Sequence, residues 1–218
     1  SQGMKFLIIW AGVTIAYLLM FYLLRAKTHF LGDGYLVLGD LPSVDPWAKL
    51  RNLGEVLIHR LAYELLSGNE SARALLSYQI VSYLSGAAFL TLTGYAAGRL
   101  FQKLGDRVLF IMGVASSGYM LLFFGYVENY SVFVACVLAY CLAGLLVLDG
   151  HFNRWYLLVP LVAAMFMHAF GAVLIPSALY LLVAGTALGE RISSLSKGTK
   201  SLIIAAAVIL AGWAFVYI

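Results

Sequence analysis

Asp33, Asp40, Glu128 and His168 are the residues of this chain whose type and setting point to chemistry. Asp33 lies between two glycines in Thr28-His29-Phe30-Leu31-Gly32-Asp33-Gly34-Tyr35. Glycines on both sides let the backbone turn tightly and approach a ligand closely. A carboxylate held there can take a proton from an acceptor or hold a metal ion. The plainer reading is a turn whose Asp caps the following backbone. Asp40, just before Leu41-Pro42, reads as a turn residue or an additional substrate contact. Glu128 is the only charge between Arg107 and Asp149, and its segment is Phe123-Phe124-Gly125-Tyr126-Val127-Glu128-Asn129-Tyr130-Ser131. An ionisable group at membrane depth is costly and points to function, less so near an interface. Tyr126 and Tyr130 also suit an interfacial belt. His168, between Met167 and Ala169, can contact a phosphate or serve as a hydrogen-bonded structural residue. His29 and His59 lack metal-ligand spacing to one another, so a zinc site is not expected.

Around these residues the chain is apolar. It has 218 residues, 63% hydrophobic and 11% charged. Soluble domains carry about 25% charged residues, so an integral membrane protein is expected. The small positive net charge is scattered, with no basic cluster interleaved with aromatics, which argues against nucleic acid as a partner. Cys136 and Cys141 lie five apart in one apolar run and would point in different directions on a helix. They read as structural cysteines rather than a disulfide.

About 20 apolar residues make a span. The expected fold is all-α, a polytopic bundle of about seven transmembrane helices at 4–24, 75–97, 108–126, 130–148, 155–168, 170–188 and 202–218. Residues 4–218 then form a single transmembrane domain, with 1–3 a tag remnant. The run ending at Ile218 suggests a piece of something longer. Basic residues in the short loops (Arg99, Lys103, Arg107, Arg154, Arg191, Lys197 and Lys200) place the N-terminus on the cytoplasmic side. The long polar segment 26–74 is then periplasmic or extracellular, and shares that face with Glu128 and His168.

Close to half of the charged side chains fall in that segment. Asp45-Pro46 is a helix start, with Asp as cap and Pro at the first position. Trp47, Leu50, Leu53, Leu57, Leu61 and Leu65 recur at helical spacing, with Lys49, Arg51, Asn52, Glu55, Arg60 and Glu64 on the other face. This predicts an amphipathic helix lying in the membrane interface. Asn69 or Ser71 should cap the helix that follows.

This layout resembles the GT-C superfamily of membrane glycosyltransferases, which includes protein O-mannosyltransferases, lipid A aminoarabinose transferases and oligosaccharyltransferases. The resemblance is one of pattern over nearly the whole chain. A short N-terminus and one span are followed by a long first loop with an early acid and interfacial helices, then further spans with an acid in the second outer turn. It implies the N-terminal seven-helix module of such an enzyme, moving a sugar from a polyprenyl-phosphate carrier to an acceptor. Asp33 would be the catalytic base and Glu128 the second acid. His29, Tyr35, Asp40, Arg51, Arg60, Tyr126, Asn129 and His168 would contact the substrates. Many members carry adjacent or alternating acids in the first loop. Here Asp33 is followed by Gly34 and Tyr35, so a divalent metal cofactor is left unassigned. Two other classes compete. In a transporter or channel, Glu128 and His168 form a relay; a non-catalytic scaffold tolerates loss of either acid.

Overall fold

The computed structural model describes residues 2–29, 32–184, 194–196, 198–199, 201–202 and 205–206, with the side chains from residue 11 onward. The described elements are helical. α1 (Gln2–Leu23) leads to a short α2 (Gly34–Asp40), two 3-10 turns (Pro46–Ala48 and Leu50–Asn52) and α3 (Leu53–Leu65). The long α4 (Glu70–Leu100) is followed by α5 (Leu104–Ala115), a 3-10 segment (Gly118–Phe123) and α6 (Ser131–Leu148). α7 (Leu158–Met167) and α8 (Ile175–Val183) are each preceded by a 3-10 turn, Arg154–Leu157 and Ala169–Leu174.

Local chemistry sets these boundaries. The Asn69 side chain accepts from Ala72 N–H at 2.8 Å and starts α4. Asp45 accepts from Trp47 N–H at 3.0 Å, as its Asp-Pro context predicts, yet it starts only a 3-10 turn. The Arg73 guanidinium donates to Tyr63 O at 2.9 Å and lies 4.0 Å over the Tyr63 ring, which pins the start of α4 to the end of α3.

α4 is the axis of the packing. On one stretch of it, Tyr83, Phe89 and Leu90 meet Phe21 of α1, Met120 and Phe123 of the 3-10 segment, and Ala135 of α6. Nearer its start, Ala74 and Tyr78 meet Leu41, Tyr63 and Val127. A third cluster joins α6 to α7 and α8 through Tyr140, Ala143, Leu157, Leu161 and Ala178.

The expected set of about seven spans is corrected. Two described helices, Glu70–Leu100 and Ser131–Leu148, are long and apolar enough to cross a membrane. That does not fit the multi-pass placement expected from the sequence, nor the cytoplasmic and outer faces assigned with it. The reason lies in where the apolar runs break. The run 108–126 stops as an α-helix at Ala115, continues as 3-10 turns and turns sharply at Gly125. Even with their 3-10 turns included, Arg154–Met167 and Ala169–Val183 stay short of the roughly 20 residues a crossing needs. The expected span 4–24 falls on α1 (Gln2–Leu23), whose side chains are described only from Ala11 onward. Most of the expected span 202–218, and the end of 170–188, lie outside the described residues.

α3 departs from its expected form too. The α-helix begins at Leu53, not Pro46, and its inward face is polar. Gly54, Glu55, Val56, His59 and Tyr63 are buried, whereas Leu50, Leu61 and Leu65 are exposed. The helix is packed against α4, α6 and α7, with Glu55 turned inward rather than onto the solvated face.

Candidate functional site

Two loops far apart in sequence close on each other at the ends of α1, α2 and α6. The loop after α1 holds Asp33, and the connection from Phe124 to Tyr130 holds Glu128. The Asp33 N–H donates to Glu128 Oε1 at 3.2 Å across 95 residues of sequence. Gly32 makes this approach possible. Its φ of +75° is in the left-handed region, and a Cβ there would fall inside the Glu128 carboxylate. A Cβ at Gly34 would come within 2.8 Å of His29 O and 2.9 Å of Val127 O. Both glycines of the Gly-Asp-Gly triplet therefore serve close approach between loops.

His29 seals the same junction. It is buried, its Nδ1 accepts from Val127 N–H at 3.3 Å, and Tyr126 and Tyr35 set ring edges against it at 5.3 and 6.1 Å. Burial lowers its pKa, which favours the neutral ring that can accept this hydrogen bond. Ala26 N–H donates to Phe124 O at 2.7 Å, adding a backbone tie. His29 and Tyr126 thus hold the loops together, and Tyr35 stands exposed at their edge.

A polar cleft of about 170 Å³ opens beside this junction. Asp33, Asp40, Lys49, Asn52, Tyr78 and Asn129 give it its polar lining. Lys49 Nζ lies 4.0 Å from Asp40 Oδ2, both well exposed, so the pair is loose and exchangeable. The Tyr78 hydroxyl donates to Asn129 Oδ1 at 3.0 Å, which leaves the Asn129 amide as a donor. Glu128, half-buried next to Asn129, has its pKa raised. Burial is the largest cause, and the Asp33 charge adds to it. The backbone N–H groups of Asp33 and Asn129 work the other way. The set holds acceptors, an ammonium donor, amides and a phenol, the inventory that binds polyhydroxylated or phosphorylated ligands.

The remaining expected contacts are placed elsewhere. Arg60 is spent on structure: Nη1 donates to Leu41 O at 2.9 Å and Pro42 O at 2.6 Å, and Nη2 meets Glu64 at 2.5 Å. It ties the end of α2 to α3. Arg51 is exposed and outside the cleft lining. His168 caps the 3-10 turn after α7, its Nδ1 accepting from Phe170 N–H at 3.1 Å. Its ring packs on Tyr130, Phe133 and Phe170. Burial lowers its pKa, Glu55 opposes that and Arg51 adds to it. Neither His168 nor Glu128 lines the cleft; Glu128 meets it only through Asp33 and its neighbour Asn129. Among the described residues, no group of three or more His, Cys, Asp or Glu side chains is placed to hold a metal ion.

No protein-family model, curated protein or solved structure matches the chain.

Sequence reasoning did not single out Tyr78 or Asn52 for the site. Tyr78 sits inside what reads as a membrane helix, and Asn52 on what reads as a solvated face. Nor did it single out the apolar groove of about 380 Å³ between α3, α4 and α6, lined by residues such as Val81, Leu84, Leu92, Val132 and Ala135. Cys136 also lines this groove, and both cysteines are free thiols.

Proposed function

We propose that the chain is a GT-C-like glycosyltransferase module that moves a sugar from a polyprenyl-phosphate carrier to an acceptor hydroxyl, with Asp33 and Glu128 at the reacting centre. The observation that carries this reading is the Asp33–Glu128 contact at the edge of a polar cleft. Two acids separated by 95 residues are held together by glycines that a larger residue would displace.

In this reading Asp33, which lines the cleft, takes the proton of the acceptor hydroxyl. The acceptor oxygen forms a bond to the anomeric carbon as that carbon's bond to the phosphate oxygen breaks. The electron pair leaves on the polyprenyl phosphate, and configuration inverts. Glu128 fixes the Asp33 backbone by accepting its N–H. Lys49 is the cation of the cleft and meets the phosphate once Asp40 releases it. Tyr78, Asn52 and Asn129 hydrogen-bond sugar hydroxyls. The apolar groove supports the lipid character of the donor, because hydrocarbon gains from burial there.

The test is transfer from a panel of polyprenyl-phosphate hexoses and pentoses to a mixed acceptor pool. Asp33→Asn should fold normally and lose transfer by about 10²- to 10⁴-fold. A folded Asp33→Asn variant that transfers at the wild-type rate sinks the enzyme reading. If Glu128→Gln alone abolishes passage of a solute through proteoliposomes, the transporter class takes its place.

A further inference from the structure

The most buried ionisable side chains of the described fold belong to neither reacting acid. Glu55 and His59, one turn apart on α3, are both 0% exposed. Glu55 Oε2 lies 3.5 Å from His59 Nε2, at ion-pair distance but without hydrogen-bond geometry. Burying such groups is costly unless they are well paired. A fold that accepts this cost for packing alone would do better with leucine.

Each member of the pair reaches one end of the Asn129 segment. Glu55 Oε1 accepts from Phe133 N–H at 2.7 Å, in the first turn of α6. That helix has no cap of its own, since the side chain of Tyr130 makes no capping hydrogen bond. A carboxylate from α3 therefore supplies the missing acceptor and meets the positive end of the helix dipole. The His59 ring stacks on Tyr78, with centroids 3.9 Å apart and planes at 27°. Tyr78 in turn donates to Asn129 Oδ1 at 3.0 Å. One arm sets where α6 begins, just after Glu128 and Asn129. The other sets which way the Asn129 amide is presented. α3 is itself held close by Gly54, where a Cβ would come within 2.7 Å of Phe166 O.

We propose that Glu55 and His59 are a buried positioning pair that fixes Glu128 and Asn129 at the cleft from behind. The role of the cleft rests on the glycosyltransferase reading; the positioning itself does not. The pair orients the segment 128–130 and touches no substrate.

The experiment uses isotope-labelled full-length chain and reads three NMR signals. They are the exchange rate of the Phe133 amide, the side-chain NH₂ resonances of Asn129, and the titration midpoint of the Glu128 carboxyl. In Glu55→Ala, Phe133 exchange should rise about ten- to a hundredfold, as expected for losing a hydrogen bond to a charged acceptor. The Asn129 resonances should shift, and the Glu128 midpoint should move back toward 4.5, its ordinary value. His59→Gln keeps a polar neighbour for Glu55 but removes the stacked ring. It should shift Asn129 while leaving Phe133 protected. If Glu55→Ala does not fold, Glu55→Gln carries the test, because it keeps an acceptor without charge and should give a smaller change of the same sign. Wild-type Asn129 and Glu128 signals in folded Glu55 variants, or wild-type Asn129 signals in His59→Gln, would overturn the proposal. None of these signals depends on turnover, so failure of the transfer assay leaves them standing. Where transfer is measurable, kcat should fall in Glu55→Gln with KM unchanged.

Discussion

Gly32→Ala is the sharpest perturbation of the loop junction. Two costs follow from the geometry. A non-glycine residue at φ +75° pays about 1–2 kcal/mol for the left-handed backbone. The added Cβ also occupies the position of Glu128 Oε1, so Glu128 must swing away and give up the hydrogen bond from Asp33 N–H. A hydrogen bond to a charged acceptor contributes about 1.5–3 kcal/mol. Together these predict a local loss of about 2.5–5 kcal/mol, reduced by whatever the exposed side of the loop can relax. The assay is amide exchange at Asp33, with Gly39→Ala as the matched control. Gly39 lies within α2, and a Cβ there meets nothing within 4 Å. That control should gain about 0.5–1 kcal/mol from helix propensity. Gly32→Ala should speed Asp33 exchange at least about tenfold and displace Glu128. An Asp33 amide as protected as in wild type, with Glu128 unmoved, would refute the claim that glycine is required for the two acids to meet.

Other outcomes follow from the same contacts. Arg60→Met should cost about 2–3 kcal/mol in chemical denaturation, because Leu41 O, Pro42 O and Glu64 lose their partner together. If Arg60 served a substrate phosphate instead, stability would be nearly unchanged and donor affinity would drop. His168→Phe should retain the stacking surface and lose only the cap to Phe170, about 0.5–2 kcal/mol by melting, with transfer preserved. Loss of transfer without loss of stability would return His168 to the site. Glu128→Gln should change the pH dependence of stability. The folded carboxyl has a raised pKa, so its charged form is disfavoured by folding. The stability that wild type holds below the ordinary value of 4.5 is lost as pH rises through the folded pKa. The Gln variant, with nothing to ionise, should overtake wild type across that interval in denaturation curves taken at successive pH values. Parallel curves would contradict the raised value.

The cap at Asn69 was legible in the sequence, being set by nearest neighbours. Asp33 and Glu128 were put on one face only through a seven-span topology that the described helices do not support, so their contact is a finding of the structure. The number of membrane-length helices was not. Hydropathy averages over a run and cannot see that residues 108–126 change from α to 3-10 geometry after Ala115, or that the run before His168 is a ten-residue helix. Composition marks a chain as apolar; the backbone decides how that apolar length is divided. His168 illustrates a different limit. A histidine in an apolar run suits a ligand contact and a helix cap equally, and only the position of Phe170 N–H distinguishes them.

α3 carries the strongest lesson about pattern and orientation. Leucines at helical spacing opposite charged residues identify two faces with confidence, but periodicity has no sign. The expected helix lay in the membrane interface with Glu55 on its solvated face. Here Glu55 and His59 are inside, while Leu61 and Leu65 are 62% and 77% exposed. Two features of the sequence bear on this once the geometry is known. Glu55 and His59 stand four apart, so an inward turn of one carries the other with it and supplies a partner for the buried charge. Gly54 precedes them and removes the side chain that would hold α3 away from Phe166 and Met167. A helix that offers a close-packing glycine beside an acid–imidazole pair is equipped to bury its polar face. That burial places the carboxylate at the uncapped end of α6, on the N–H of Phe133, the fourth residue after Asn129. The inversion and the cleft are therefore parts of one arrangement. A variant that restores the ordinary sense of α3, such as Glu55→Leu with His59→Leu, should stabilise the packing of that helix and still leave α6 without its acceptor, separating stability from the order of the site.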